Sequence, residues 1–220
     1  VALKKGFTLG HTYESKKIDG AILPLVMFVL CIAGMTTAIF AVSTKGPGSQ
    51  HARALLSLAA GIAAGVISQR ARTCFAGALR DIFLAGSFDL FSIIAALFVT
   101  LVIFNAATGS FLLSFANQPV AHSQHLWSIL GMYAVGLAAV LAGGCPLRQT
   151  VLAGQGSADS AITFVGMLIG AACAHNFGLA GAAASATSAG GIGLHGKAVL
   201  LVCIAFLLVV AFTQKRTAKK

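Results

Sequence analysis

With 220 residues, 58% of them hydrophobic and only 9% charged, and a mean hydropathy of +0.92, the chain is too apolar for a soluble domain and reads as an integral membrane protein. No apolar run alternates with period two, which argues against a β-barrel. The net charge of +10 gathers at the two ends as membrane-flanking tails, a pattern that speaks against nucleic-acid binding.

Lys4, Lys5, Lys16 and Lys17 precede the first apolar run, 21–42. That run is long enough to cross ~30 Å of hydrocarbon. It lacks an A-x-A end, so it is expected to be a span and not a cleaved signal. The chain begins with Val, which suggests a fragment, a processed product or one half of something larger. Further spans are expected at 53–69, 90–114, 126–144, 160–178 and 198–213, followed by Lys215, Arg216, Lys219 and Lys220. Loop 116–125 carries His122 and His125 but no Lys or Arg, and 179–196 is rich in Gly, Ala and Ser and uncharged, as outer loops would be. By the positive-inside rule both termini are cytoplasmic. Backbone polar groups in lipid must be satisfied within their own segment, so the spans are helices. The expected fold is all-α: a single polytopic membrane helix bundle of about six transmembrane helices.

Two interruptions stand out. RARTCFAGALRDIFLAGSFD fills 70–89 and GGCPLRQTVLAGQGSAD fills 143–159. Laid arginine on arginine, R-D-I-F-L-A-G (80–86) matches R-Q-T-V-L-A-G (148–154), and each copy ends on an aspartate, Asp89 or Asp159, suited to cap the next span. The spacing implies an internal repeat, one unit over about 53–115 and the other over about 126–180. Each unit reads as helix, break with cysteine, short helix, LAG turn, helix. A helix of roughly ten residues cannot cross the bilayer, so each short helix is either a re-entrant half-helix or a cytoplasmic cap. Repeated broken segments point to a transporter's site.

Five cysteines occur, none in CxxC or zinc-finger spacing, and neither metal nor cofactor is implied. Cys31, Cys173 and Cys203 lie inside apolar runs, where a thiol is expected to pack as a small hydrophobe. Cys74 and Cys145 sit at the breaks. Pro146 suits the first turn of a helix, placing Cys145 beside an N-terminus whose free N–H groups and positive dipole end attract anions. Arg148, one turn on, adds a cation, and Gln149 stands ready to line the site. At the first break Arg70 and Arg72 serve either as inner-face anchors or as anion collectors. Arg80 and Asp81 are expected to pair with neighbours, and Arg80, at the matching point of the repeat, is also a candidate to attract the anion, with Asp81 in support. His175, ending the fifth run, fits either a proton relay or a satisfied interfacial histidine. Gln155, Asp159 and Ser160 are expected to form the turn and cap after the second short helix.

GIAAGVISQRARTCFAGALRD and LAGGCPLRQTVLAGQGSADSAITFVGMLIGA, within residues 55 to 178, resemble the YeeE/YedE membrane family, which contains thiosulfate transporters. They are most similar to its YedE branch, associated with selenium transport. The chain resembles the carboxy-terminal half of such proteins. The resemblance implies uptake of a small sulfur or selenium anion, such as thiosulfate or selenite, across the inner (cytoplasmic) membrane through an hourglass-shaped bundle. Cysteines at its waist hand the anion along, a substrate-relay role that falls on Cys74 and Cys145. It also implies a TusA-like sulfur-carrier partner and, because the charge count puts both breaks on the cytoplasmic side, an opposing segment. That segment comes from an N-terminal-half subunit, from a homo-oligomer, or from a break near NAATGS (105–110). Two other functions compete: a thiol-dependent membrane sulfur or selenium transferase or reductase using Cys145, and a non-conducting assembly subunit.

Overall fold

A computed structural model describes residues 17–36, 53–111, 122–184 and 190–213. Of these described residues 79% are helical. Among the described residues eight helices follow one another: α1 Lys17–Thr36, α2 Ala54–Arg70, α3 Phe75–Ala85, α4 Asp89–Ala107, α5 His125–Leu141, α6 Pro146–Gly154, α7 Ala158–Asn176 and α8 Leu194–Thr213. The one β element among the described residues is a bridge between Ala182 and Gly191.

Among the described residues five helical stretches are long and apolar enough to cross a membrane: Ala54–Ala85, Asp89–Ala107, His125–Gly154, Ala158–Asn176 and Leu194–Thr213. Six were expected. The apolar part of α1, Gly20–Gly34, is shorter; Lys17 and Asp19 fall in its first turn, and residues 37–42 of the expected run lie outside the described residues. Two of the five stretches are each a 17-residue helix, a break and a short helix. At 1.5 Å per residue, α3 and α6 are about 16 and 14 Å long, half of what a crossing needs. Near NAATGS, α4 runs unbroken to Ala107 and ends there, with Gly109 at φ 68°. Those residues therefore form a helix end and no mid-span break; 112–121 lie outside the described residues.

The chain separates into two compact units. One contains Cys74–Pro146 and Val165 onward, and so holds α3, α4, α5, the end of α7 and α8. Within it α3 packs on α4, α5 packs on α8, and α3 also touches α5. The other contains α1, α2, and Leu147–Phe164. In it α1 meets the turn after α6 so closely that a Cβ on Gly20 would run into the Gly156 carbonyl oxygen. Beside that approach Leu23, Pro24, Met27, Thr150, Ala153, Gly154 and Phe164 line an apolar cavity of about 200 Å³.

The buried residues are small. Cys74, Ala78, Ala134, Ala139, Leu141, Cys145, Ala153 and Ala211 form the apolar interior, while Leu, Ile, Val and Phe side chains face outward along every described helix. This inversion of the soluble pattern suits lipid, which is as apolar as leucine and leaves close backbone packing as the source of helix association. Replacing Gly20 by Ala should therefore destabilise the fold by about 1–3 kcal/mol, because the obstacle is rigid backbone. Gly61→Ala, whose added methyl meets nothing within 4 Å, should be neutral or stabilising; thermal unfolding in detergent separates the two.

Candidate functional site

Five helices end in one way. In α2, α4, α5, α6 and α7 the second residue past the helix donates its N–H to the carbonyl of the second-last helix residue, and the next donates to that of the third-last, the double bond of a Schellman motif. The pairs after α2 are Arg72 N–H to Gln69 O (3.2 Å) and Thr73 N–H to Ser68 O (3.1 Å); after α5 they are Gly143 N–H to Val140 O (3.3 Å) and Gly144 N–H to Ala139 O (2.9 Å). Such a motif needs a left-handed residue. Gly109, Gly143, Gly156 and Gly178 supply it in four cases, and Arg72, at φ 50°, supplies it in the fifth. An arginine there costs roughly 1–2 kcal/mol that glycine does not.

The two breaks are copies at the level of backbone. The C-cap residues Ala71 and Ala142 share φ −74° and ψ −7°, and each is followed by a left-handed residue, one more, and then cysteine. Cys74 immediately precedes α3, and Cys145 immediately precedes α6. The register of these opening turns therefore pairs Cys74 with Cys145 and Arg72 with Gly143. It does not carry Arg80 onto Arg148, as the arginine-anchored alignment does. In the second copy the left-handed glycine is Gly156 and not the LAG glycine Gly154, so that sequence match is out of step with the chain's turns.

Cys74 is the N-cap of α3, in extended conformation (φ −150°, ψ 110°), and its Sγ accepts the Gly77 N–H at 3.3 Å. Gly77 is buried, and a Cβ there would come within 3.2 Å of the sulfur, so the sulfur cap favours glycine at a position that no local sequence pattern marks. Cys145 occupies the same place before α6 and is 5% exposed, with Cys74 at 9%. Cys31, Cys173 and Cys203 are exposed, so they do not pack inside the protein as small hydrophobes, and the division between break and span cysteines is a physical one.

Arg148 is half-buried in the first turn of α6, and Gln149 next to it is 4% exposed. Arg70 and Arg72 are exposed. Arg80 pairs with its own neighbour: its Nη2 and Nε each lie 2.8 Å from Asp81 Oδ1. This ion pair offsets the charge of Arg80. His175 is exposed in the last turn of α7. Asp89 and Asp159 lie inside the first turns of their helices, where carboxylates favour the dipole, and are not caps. Just ahead of α7, Ser157 Oγ accepts from Ser160 N–H (3.4 Å). Ser87, two residues before Asp89, accepts the Asp89 N–H on Oγ (3.4 Å) and donates its hydroxyl to Asp89 Oδ2 (3.0 Å).

Apolar spanning helices, duplicated breaks that end in short half-length helices, and a buried thiol at each break define a polytopic membrane transport protein. The chain belongs to the sulphur transport family, whose model matches residues 70–220 and thus takes in both breaks. Comparisons with curated proteins and with solved structures found no match.

Two substitutions test the local geometry. Arg72→Gly should raise stability in detergent by about 1 kcal/mol through relief of the left-handed arginine. Cys74→Ser should keep the α3 cap, whereas Cys74→Val should lower stability by about 0.5–1 kcal/mol, the low end of cap losses because sulfur is a weak acceptor.

Proposed function

We propose that the protein carries a small sulfur- or selenium-containing anion, of the thiosulfate or selenite kind, across the membrane, with Cys74 and Cys145 as successive stations. One observation carries this reading: of five cysteines, the two that are buried are the two that stand ahead of short helices at backbone-identical breaks. Two equivalent soft groups suit a substrate that is held weakly and passed on, because tight binding would stop its exit. A thiol can contact a sulfur or selenium atom, and the N-terminal N–H groups of α3 and α6 favour the negative charge that accompanies it.

The supporting residues have distinct parts. Arg148 supplies a cation one turn from Cys145, and Gln149, buried beside it, supplies a neutral polar group. Arg72 holds a conformation that glycine holds in the other copy, a cost that a role for its guanidinium at the anion's path explains; Arg70 lies one turn earlier. Arg80 and Asp81 form a closed pair and are left out of the path. The basic tails set both termini on the cytoplasmic side of the inner membrane. There a small sulfur-carrier protein of the TusA type would receive the cargo. A further half of the transporter, or a second copy of this chain, would supply the segment that meets the breaks from the other face.

Reconstituted into liposomes, the protein should accumulate labelled thiosulfate or selenite. Cys74→Ala and Cys145→Ala should each fall to the level of empty liposomes while remaining folded and inserted. Unchanged uptake in both variants would sink the relay. A persulfide or selenyl adduct on Cys145 that turns over without net flux would replace transport by a transferase reaction. Arg72→Gly, stabilised in its fold, should take up the anion with a higher half-saturation concentration than wild type.

A further inference from the structure

In the second unit α1, α6 and α7 wall the apolar cavity of about 200 Å³, and the residues around it explain why a space is left there. Pro24 stands inside α1 and has no N–H to return to the carbonyl of Gly20. That carbonyl lies against the turn after α6, 3.2 Å from where a Cβ on Gly156 would sit. Two glycines thus let the backbones touch at one point, and a gap opens one turn further along α1. Across it α6 presents Thr150, Ala153 and Gly154 to Leu23, Pro24 and Met27, side chains too short to fill the space between.

The lining decides what such a space can hold. No charged residue belongs to it, and Thr150 brings its one side-chain hydroxyl. An anion finds no partner there, and a trapped water, which wants about two to four polar partners, is poorly served. An apolar space of about 150 Å³ already takes a benzene-sized molecule, so this one has room for a stretch of hydrocarbon. It is also open on one side: Ala153 forms its floor at 2% exposure, whereas Met27 at its rim is 40% exposed. Beside the rim Leu25 and Phe28 of α1 and Ile162 of α7 face outward, which makes the lining continuous with the surface that meets lipid. Leu23 to Met27 lie six to ten residues past Lys17, where α1 starts, about 9–15 Å along the axis. That is the depth of acyl carbons and not of headgroups.

We infer that this cavity is a binding site for an acyl chain of a bilayer phospholipid, which enters past Met27 and reaches Ala153. Lipid is the medium on the open side. A chain at that depth gains contacts with Leu23, Pro24 and Phe164 that an empty space forfeits. The tail also completes the packing of α6, the short helix headed by Cys145, which meets α1 through small side chains alone. How α6 is held is independent of what the protein carries, so the site stands or falls apart from the transport reading.

The full chain is reconstituted into liposomes of phosphatidylcholine and phosphatidylglycerol that contain a trace of phosphatidylcholine bearing a diazirine in mid-chain. After illumination, peptide mass spectrometry should find lipid adducts on outward residues such as Ile162 and also on Ala153, which lipid at the outer surface cannot touch. Gly154→Leu fills the space from α6, and a Cβ at this position meets nothing within 4 Å. The variant should lose the Ala153 adduct and keep that on Ile162. Adducts confined to outward residues in wild type mean that the space is filled by protein or left dry, and overturn the site whether or not the variant inserts. An Ala153 adduct as strong in Gly154→Leu as in wild type overturns it too. A fatty acid with the same diazirine that labels Ala153 where the phospholipid does not overturns the assignment to a bilayer lipid. None of these measurements reads transport: loss of all anion uptake with the Ala153 adduct intact overturns the transport reading and leaves the lipid site standing.

Discussion

A backbone N–H or C=O at membrane depth must find a partner, and everything distinctive in this protein follows from how the chain meets that demand where its helices stop. A helix that ends inside a membrane protein strands carbonyls at its C-terminus and N–H groups at the start of the next helix. Here the carbonyls are taken by the double bonds of Schellman turns after α2 and α5. At the start of α3 a sulfur takes one of the stranded N–H groups, with Cys74 accepting from Gly77. The breaks are therefore closed structures and not frayed ends. Because the turn geometry is the same in both, the chain delivers a cysteine to the head of a short helix twice.

That solution explains why the two thiols are buried in a protein that buries so little. Lipid satisfies the outward leucines and phenylalanines, so the interior is left to alanine, glycine and the groups at the breaks. In such an interior a cysteine is small enough to pack and polarizable enough to do chemistry. The one departure from the pattern, Arg72 in a left-handed position that glycine fills elsewhere, falls two residues before Cys74. Strain of this kind persists where the surroundings hold it, and a cation beside a thiol station is a reason to hold it. Charge is otherwise sparse along the spans, and Arg80 is matched by Asp81.

Much of this was legible in the residues. Five of the six expected spans appear among the described residues, four within about four residues of their predicted places and that expected at 90–114 ending at Ala107, because hydropathy is a property of each segment alone and lipid imposes one length on all of them. Cysteine, proline and glycine also marked the breaks correctly, since each restricts the backbone locally. Identical letters, R-x-x-x-L-A-G, lay Arg80 on Arg148, whereas the turns that open the breaks lay Cys74 on Cys145. Letters count equally in an alignment, but a left-handed φ and a Schellman bond decide where a helix stops. The capping aspartates were misplaced for a related reason. Serine and aspartate both favour helix starts, and only the hydrogen bonds show that Ser87 and Ser157 accept while the aspartates sit one or two residues inside.

By itself, the sequence determined that this is a membrane-spanning helical protein with two interrupted spans and basic ends, because hydropathy and charge act residue by residue against a bilayer of given thickness. Only the tertiary structure decided which cysteines are buried, that Arg80 is neutralised by its neighbour, that Gly77 makes room for a sulfur cap, and that Lys197 stands over Trp127, seventy residues away in the chain. Burial and pairing depend on which surfaces meet, and that is set by small-residue packing between helices, whose contacts no local pattern of hydropathy encodes.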